Sequence, residues 1–427
     1  MGDSIVLNSD PGFAKMLSKS LSRFARETVF SLMKQIKCGK LTVIDQGRAF
    51  EFGEQNGADS MVAKIYVDDQ RFYPQVLLGG SIGSGEAYMA GYWRSEDLTN
   101  VVRLVIMNRD VFLGLDKGWA RVMTPFHNLL HFLRKNTEEG SRKNIAAHYD
   151  LGNDFYRLFL DETLTYSCGI FEHDQATLTD ASIAKYDRIC RKLDVSPKDH
   201  LLEIGTGWGG FAIHAAGRYG CRVTTTTISG SQYALARERI KAAELEDRVE
   251  LLLEDYRALA GSYDKLVSIE MIEAVGHQYL GTFLNCCSNL LKSEGMMLLQ
   301  AITIADYAYE EHRRSVDFIK RYIFPGGCIP SVTAICGSAT DETDLRLFHL
   351  EDITPHYVTT LQSWRSRFLE NIEQVRGLGY PESFIRMWQF YLCYCEAGFA
   401  ERYLGDVQML FTKPLCRRPP ILPALVQ

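Results

Sequence analysis

The chain has 427 residues, 46% of them apolar and 23% charged, which suffices for roughly two to three self-supporting cores and excludes a short peptide, a fibre or a disordered polymer. A net charge of −6 excludes nucleic-acid binding through bulk charge, and neither a stretch of about twenty apolar residues nor a secretory-type apolar core at Met1 to Asp10 is present. The expectation is a cytoplasmic protein whose eleven scattered cysteines, none in a CxxC pair, stay reduced and inert.

The first forty residues carry a net charge of +4 in an otherwise acidic chain. Phe13, Leu17, Leu21, Phe24, Val29, Phe30 and Leu32 recur there at helical spacing, so Asp10 to Ile36 is expected as an amphipathic helix opened by Pro11. Its basic face is either plain solvated surface or a contact for a membrane surface. Residues 41 to 78 are rich in β-branched and aromatic types and suggest a small sheet; Gly79 to Gly91 then suggests a turn into a helix. Residues 1–112 are read as an N-terminal α+β domain. Residues 113–143, where Arg121, Arg134, Lys135, Arg142 and Lys143 alternate with Trp119, Phe126 and Phe132, are read as a basic linker suited to an anionic headgroup.

Residues 144–415 alternate strand and helix, with 416–427 a loose tail. Strands are expected at 200–204, 221–228, 248–254, 263–269 and 294–304, with helices such as Ser231 to Glu244 between them. This repetition predicts an α/β, doubly wound parallel sheet that binds its ligand at the carboxyl ends of the strands. Further strands at 346–353 and 406–413 would add an edge hairpin.

Strand 200–204 leads into Gly205-Thr206-Gly207-Trp208-Gly209 and a helix, so backbone N–H groups can approach a ligand there, although a tight structural turn would look the same. The pattern is GxGxG, and neither the GxGxxG of dinucleotide binders nor a GKS/GKT cradle occurs, which points away from a ligand with a phosphate chain. The spacing resembles the first motif of S-adenosylmethionine-dependent methyltransferases. Past the second strand stand Thr227 and Gln232, the latter able to hydrogen-bond ribose hydroxyls; past the third stand Asp255 and Tyr256, the former equally suited to cap a helix.

His148-Tyr149-Asp150-Leu151-Gly152-Asn153-Asp154-Phe155, Tyr166-Ser167-Cys168, the 203–210 turn, Glu273-Ala274-Val275-Gly276, the 322–327 segment and His356-Tyr357 follow one another in order. In this the chain resembles cyclopropane-fatty-acyl-phospholipid synthases and their mycolic-acid relatives over about 144 to 415. Gly85-Glu86-Ala87-Tyr88 with Gly91-Tyr92-Trp93 further resembles the smaller N-terminal lipid-associated domain of the phospholipid-acting members. The resemblance implies methyl transfer from S-adenosylmethionine to the cis double bond of an unsaturated membrane phospholipid, closing a cyclopropane ring. It also implies a homodimer, peripheral on the inner face of the membrane. Tyr149, Tyr166 and Ser167 are implied to contact the cofactor along with Gly205, Gly207 and Trp208. A bound bicarbonate is implied as the base, held by Cys168, Glu273, Tyr357 and the backbone of Ile302.

The chain departs from the family pattern where Gln300 replaces a histidine and Ala274 another. Gln300 cannot titrate but can donate to an anion. Glu270 would lie near Glu273 if a helical turn starts there, so proton removal by a carboxylate instead of bicarbonate is a variant of the same chemistry. Taken singly, Cys168 could be an inert buried thiol, Glu273 a helix N-terminal acid and Tyr357 a packing residue of a helix. No histidine, cysteine or carboxylate set has metal spacing, so no metal is expected. The alternatives are methyl- or methylene-branched lipid products, or a small-molecule N-methyltransferase.

Overall fold

The computed structural model describes residues 11–54, 61–112 and 151–421, so the 113–143 segment and Tyr149 lie outside the described residues. The chain divides into two compact units, Met1–His127 with Pro381–Ala397, and Asn128–Tyr380 with Gly398–Gln427.

The first unit begins with helix α1 (Pro11–Met33), strands β1 (Lys40–Asp45), β2 (Arg48–Gly53) and β3 (Val62–Val67), helix α2 (Phe72–Met89), strand β4 (Trp93–Arg94) and helix α3 (Leu98–Met107). The four strands form a sheet ordered β2-β1-β3-β4, with β1 and β3 parallel. The stripe of α1 that packs is Ala25, Val29 and Met33, spaced by four, while Leu21 and Phe24 stay about half exposed. The expected stripe was displaced because alanine gives little hydrophobic signal. Arg26, counted among the solvated basic residues, instead bonds buried Asp45 at 2.6 Å and lies over the Phe30 ring. Asp45 also accepts from Gln70 and Tyr73, so one carboxylate ties α1 and α2 to the sheet.

Residues 72–78, expected as strand, and 79–89, expected as a turn followed by helix, form the single kinked helix α2. Buried Phe72, Tyr73, Val76 and Leu77 follow helical spacing, which overrides their β-propensity. Gly80, at φ 55° and ψ −134°, supplies the kink. The helix Glu382–Ala400, within the span read as catalytic, lies in this unit as far as Ala397. Gln389 accepts from the Tyr88 hydroxyl and Glu396 from Thr99.

The second unit holds α4 (Leu178–Leu193), β5 (His200–Ile204), α5 (Gly210–Tyr219), β6 (Arg222–Thr226), α6 (Gly230–Ala242), β7 (Val249–Leu252), β8 (Tyr263–Ile269), α7 (Leu280–Leu290), β9 (Leu291–Ile304), β10 (Arg346–Asp352), α8 (Thr354–Glu370) and β11 (Leu404–Thr412). These strands form one sheet ordered β10-β11-β9-β8-β5-β6-β7. From β9 to β7 neighbours are parallel, whereas β11 runs antiparallel to β9 and β10 to β11. The expected edge pair therefore forms, but not as a hairpin, since α8 and the Glu382–Ala400 helix intervene in sequence. Adjacent residues point to opposite cores: Leu202, Met297 and Leu299 join one cluster, Leu201, Met296 and Leu298 the other. That is why β9 reads as an unbroken apolar run, and why a polar side chain within it is informative. The order reverses between β5 and β8, so the switch point lies at their carboxyl ends.

Candidate active site

The glycine turn leaves β5 at the switch point. Gly205, Gly207 and Gly209 have φ of 105°, 54° and 85°, and α5 starts at Gly210. The Gly205 and Thr206 N–H groups bond the Thr226 carbonyl, fixing the turn to β6. A Cβ built on Gly207 meets nothing within 4 Å, so a ligand can approach the backbone there. Beside it, the Gln232 oxygen accepts from the Thr227 hydroxyl at 3.0 Å, leaving its NH2 group to serve a ribose hydroxyl. This donor set, without any cationic phosphate cradle, fits S-adenosylmethionine.

The remaining residues expected at the cofactor are placed as follows. Trp208 is buried, donates to Asn153 and packs on Tyr156. Tyr166 packs on Trp364 with ring centroids 5.2 Å apart, and Ser167 accepts from buried Lys185 at 2.6 Å. Asp255 caps a short 3-10 turn at Tyr256–Ala258 and pairs with Arg257 through both carboxylate oxygens, so the simple capping reading describes its geometry. Tyr256 packs edge-on against Phe283.

Glu203, the last acidic residue before the turn, is buried and accepts from Thr225. Burial pushes its carboxyl up to about 8, with the Thr225 bond opposing, so it is neutral at pH 7. A raised folded value means that its stabilising contribution is complete below the unfolded value of 4.5 and is lost as pH rises to about 8. The melting temperature of the native protein minus that of Glu203→Gln is therefore expected to fall by several degrees from pH 5 to pH 8 and level off above. A pH-independent difference in thermal melts would contradict a neutral Glu203.

The second cluster gathers Cys168, Glu270, Glu273, Gln300, Ile302 and Tyr357. Glu270, just past β8, accepts from the Cys168 backbone N–H at 2.8 Å, from Gln300 Nε2 at 2.8 Å and from the Tyr357 hydroxyl at 2.6 Å. Its backbone has φ 48°, unusual for a non-glycine residue, and its N–H bonds the Gln300 carbonyl. Glu273, in the next 3-10 turn, accepts from the Ile302 backbone N–H at 2.5 Å. Burial, and secondly the charge of Glu270, push Glu273 up to about 8, so it is neutral at pH 7. Cys168 is fully buried, bonds the Gly169 carbonyl and has its thiol pushed up by burial, Asp406 and Glu270. It stays a thiol and is no nucleophile at neutral pH. Tyr357 stacks on Phe399 at 4.3 Å and meets Trp364 edge-on, so aromatic faces border the cluster.

Several members were not among the expected site residues. Antiparallel register sets Gln408 opposite Gln300 and Asp406 opposite Ile302. Fully buried Asp406 accepts from Gln300 at 3.2 Å, and burial, then Glu270 and Glu273, push its carboxyl well up. Its signal in sequence is an acid, two residues before Gln408, inside a largely apolar strand. Lys185 is a fully buried ammonium whose value burial lowers while Glu270 raises it. His356 lies apart from the cluster, accepting from the Phe171 N–H at a cavity that Glu172, Arg188 and Glu351 also line. Among the described residues no group of three or more potential ligands could hold a metal.

Comparison with known proteins matches residues 136–409 to the family described as mycolic acid cyclopropane synthetase. A tuberculostearic acid methyltransferase of Mycobacterium tuberculosis is 41% identical over 336 residues, covering 77% of this chain and 78% of its own. The cyclopropane-fatty-acyl-phospholipid synthase of Escherichia coli K12 is 33% identical over 357 residues, covering 83% and 89%. The crystal structure of a mycolic acid cyclopropane synthase with SAH and CTAB superposes with a TM-score of 0.60 at 33% identity, covering 64% of this chain and 98% of that one. With its doubly wound sheet and glycine turn, the chain belongs to the cyclopropane synthase family of S-adenosylmethionine-dependent methyltransferases.

Proposed function

We propose that the protein transfers a methyl group from S-adenosylmethionine to the cis double bond of unsaturated phospholipid acyl chains, and that Glu270 removes the proton that allows the cyclopropane ring to close. The observation that carries this is where the donors point. The Cys168 N–H, the Gln300 amide and the Tyr357 hydroxyl, three groups an anionic base would need, are all bonded to the Glu270 carboxylate, while the Ile302 N–H is bonded to Glu273. Bicarbonate offers the same pair of acceptor oxygens that Glu270 already brings on its own side chain.

S-adenosylmethionine supplies the electrophilic methyl group. The alkene π pair forms the new bond to that carbon as the methyl–sulfur bond breaks and its electron pair stays with sulfur in the departing thioether, leaving positive charge on the second alkene carbon. Glu270 takes one proton from the transferred methyl group, and the released C–H pair closes the ring. The Tyr357, Phe399 and Trp364 faces stabilise the cation and keep water from trapping it. Burial favours the neutral form of the Glu273 and Asp406 carboxyl groups beside Glu270.

A phospholipid substrate is supported by the relative of that name, whose alignment covers 83% of this chain against 64% for the mycolic acid synthase structure and so extends into the N-terminal unit. The exposed Leu21 and Phe24 of α1, beside Arg23, support a peripheral contact with the membrane surface. No described helix is long and apolar enough to cross a membrane. The proposed state is a homodimer on the cytoplasmic face, where two weak contacts reinforce each other. A second product has its own support, since the relative named as tuberculostearic acid methyltransferase is 41% identical. Loss of a proton from a neighbouring chain carbon would leave a methyl-branched alkene, and a hydride shift followed by loss of a methyl proton a methylene branch, each keeping one double bond. Incubation with S-adenosylmethionine and unsaturated phospholipid vesicles separates these: a gain of one CH2 with the double bond lost is expected, a retained double bond indicates branching, and no lipid product overturns the proposal.

A further inference from the structure

Gln300 is fixed in place by β9, but a carboxamide can present either its oxygen or its NH2 to a neighbour, and only the NH2 serves Glu270. On that side Gln300 Nε2 also meets the Cys168 carbonyl, a fixed acceptor, but only at 3.5 Å, and its closer partners are the Glu270 and Asp406 carboxyl groups at 2.8 and 3.2 Å. Glu270 gains a proton in the reaction proposed above, and burial favours the protonated form of Asp406, so either carboxyl can present an O–H in place of an acceptor oxygen. The other end of Gln300 leads away from the cluster through a continuous buried chain. Gln300 Oε1 accepts from Gln408 Nε2 at 3.0 Å, and Gln408 Oε1 accepts from Lys192 Nζ at 2.8 Å. Lys192, on α4, is held by Glu351 at 2.6 Å, and Glu351 is clamped by Arg188 in turn. Lys192 is 6% exposed, and both glutamines are fully buried.

We propose that Lys192 is a positioning residue for this reaction, fixing the direction of a two-amide chain so that the NH2 of Gln300 always faces Glu270. Burial lowers Lys192 to about 8, with Glu351 opposing, so at pH 7 it is chiefly an ammonium, which has three donors and no lone pair, and Gln408 turns its oxygen to it and its NH2 inward. Gln300 must then accept from Gln408 and donate to Glu270. The chain is polarised along its length, which strengthens the last bond. Lys192 touches no reacting atom and is three hydrogen bonds from the carboxylate it serves. The inference rests on Glu270 being the base.

The test compares Lys192→Met, Lys192→Arg and Gln408→Glu with the native protein, reading kcat, KM for lipid, S-adenosylmethionine affinity, melting temperature and the acid limb of the kcat pH profile. Lys192→Met frees Gln408 to turn, and Gln408→Glu removes the inward donor while keeping a partner for Lys192. Both are expected to lower kcat by about tenfold with KM and cofactor affinity little changed. The acid limb should move to higher pH, because a carboxylate that loses a donor to its charged form binds its proton more tightly. Lys192→Arg, again donors only, should restore kcat and the limb. Unchanged kcat and limb in both Lys192→Met and Gln408→Glu would overturn the proposal, as would a loss of melting temperature and kcat with the limb unmoved. Glu270→Gln run alongside keeps the two readings apart: if it retains native turnover the base assignment fails, whatever the Lys192 variants do.

Discussion

Glu270→Gln is expected to reduce lipid product by about a thousandfold, the scale of losing a general base. Glutamine keeps the size of the side chain and one acceptor oxygen but has no lone pair basic enough to take a proton from a methyl group. Cofactor binding should survive, because the glycine turn and Gln232 are held by their own bonds to Thr226 and Thr227. Affinity measured by calorimetry beside turnover measured by acyl-chain mass would show the split. Glu270→Ala should be as inactive, yet it leaves the Cys168 N–H, Gln300 and Tyr357 donors without their carboxylate. Added bicarbonate or formate is therefore expected to restore part of its turnover, and to do nothing for Glu270→Gln. Native-like turnover by Glu270→Gln would remove this residue from the chemistry.

The second large effect belongs to the cofactor turn. Gly205 sits at φ 105°, a conformation L side chains rarely adopt, and a Cβ there would approach Met271 to 3.4 Å. Gly205→Ala must therefore shift the turn, at a cost of about 1 to 3 kcal/mol, which corresponds to about 5- to 150-fold weaker binding of S-adenosylmethionine. Met271 lies between Glu270 and Glu273, so displacement there also disturbs the base. Gly217→Ala is the control: it lies within α5, and its Cβ would make only an ordinary 3.7 Å contact with Leu245. Equal cofactor affinity in the two variants would contradict the placement of the ligand at Gly205.

The alternating strands and helices and the glycine turn were legible because each depends on local pattern: β5 and β8 lie at 200–204 and 263–269, as their sequences indicate. Cys168, Glu273, Gln300, Ile302 and Tyr357 were legible as a set only through motif order, since nothing local brings residue 168 to residue 270. What the motifs could not show was how the donors pair. The pairing of Ile302 with Glu273, and of Gln300 with Glu270, depends on the geometry past β8 and on strand register. Asp406 and Gln408 were hidden for the same reason: they enter the cluster through antiparallel pairing across about a hundred residues of sequence. The first half of the kinked α2 resembles strand in sequence because Phe72, Tyr73 and Val76 are good strand formers, and only their burial with Leu77 reveals a helical face.

The most direct test of a built-in carboxylate base is turnover in buffer stripped of carbon dioxide. The protein would be given S-adenosylmethionine and unsaturated phospholipid vesicles, with bicarbonate added back to half the samples, and acyl chains read by mass. Cyclopropanated chains formed at equal rates with and without bicarbonate are the predicted result. Turnover that vanishes without bicarbonate and returns saturably on its addition would contradict the account and make Glu270 a ligand-shell residue instead of the base.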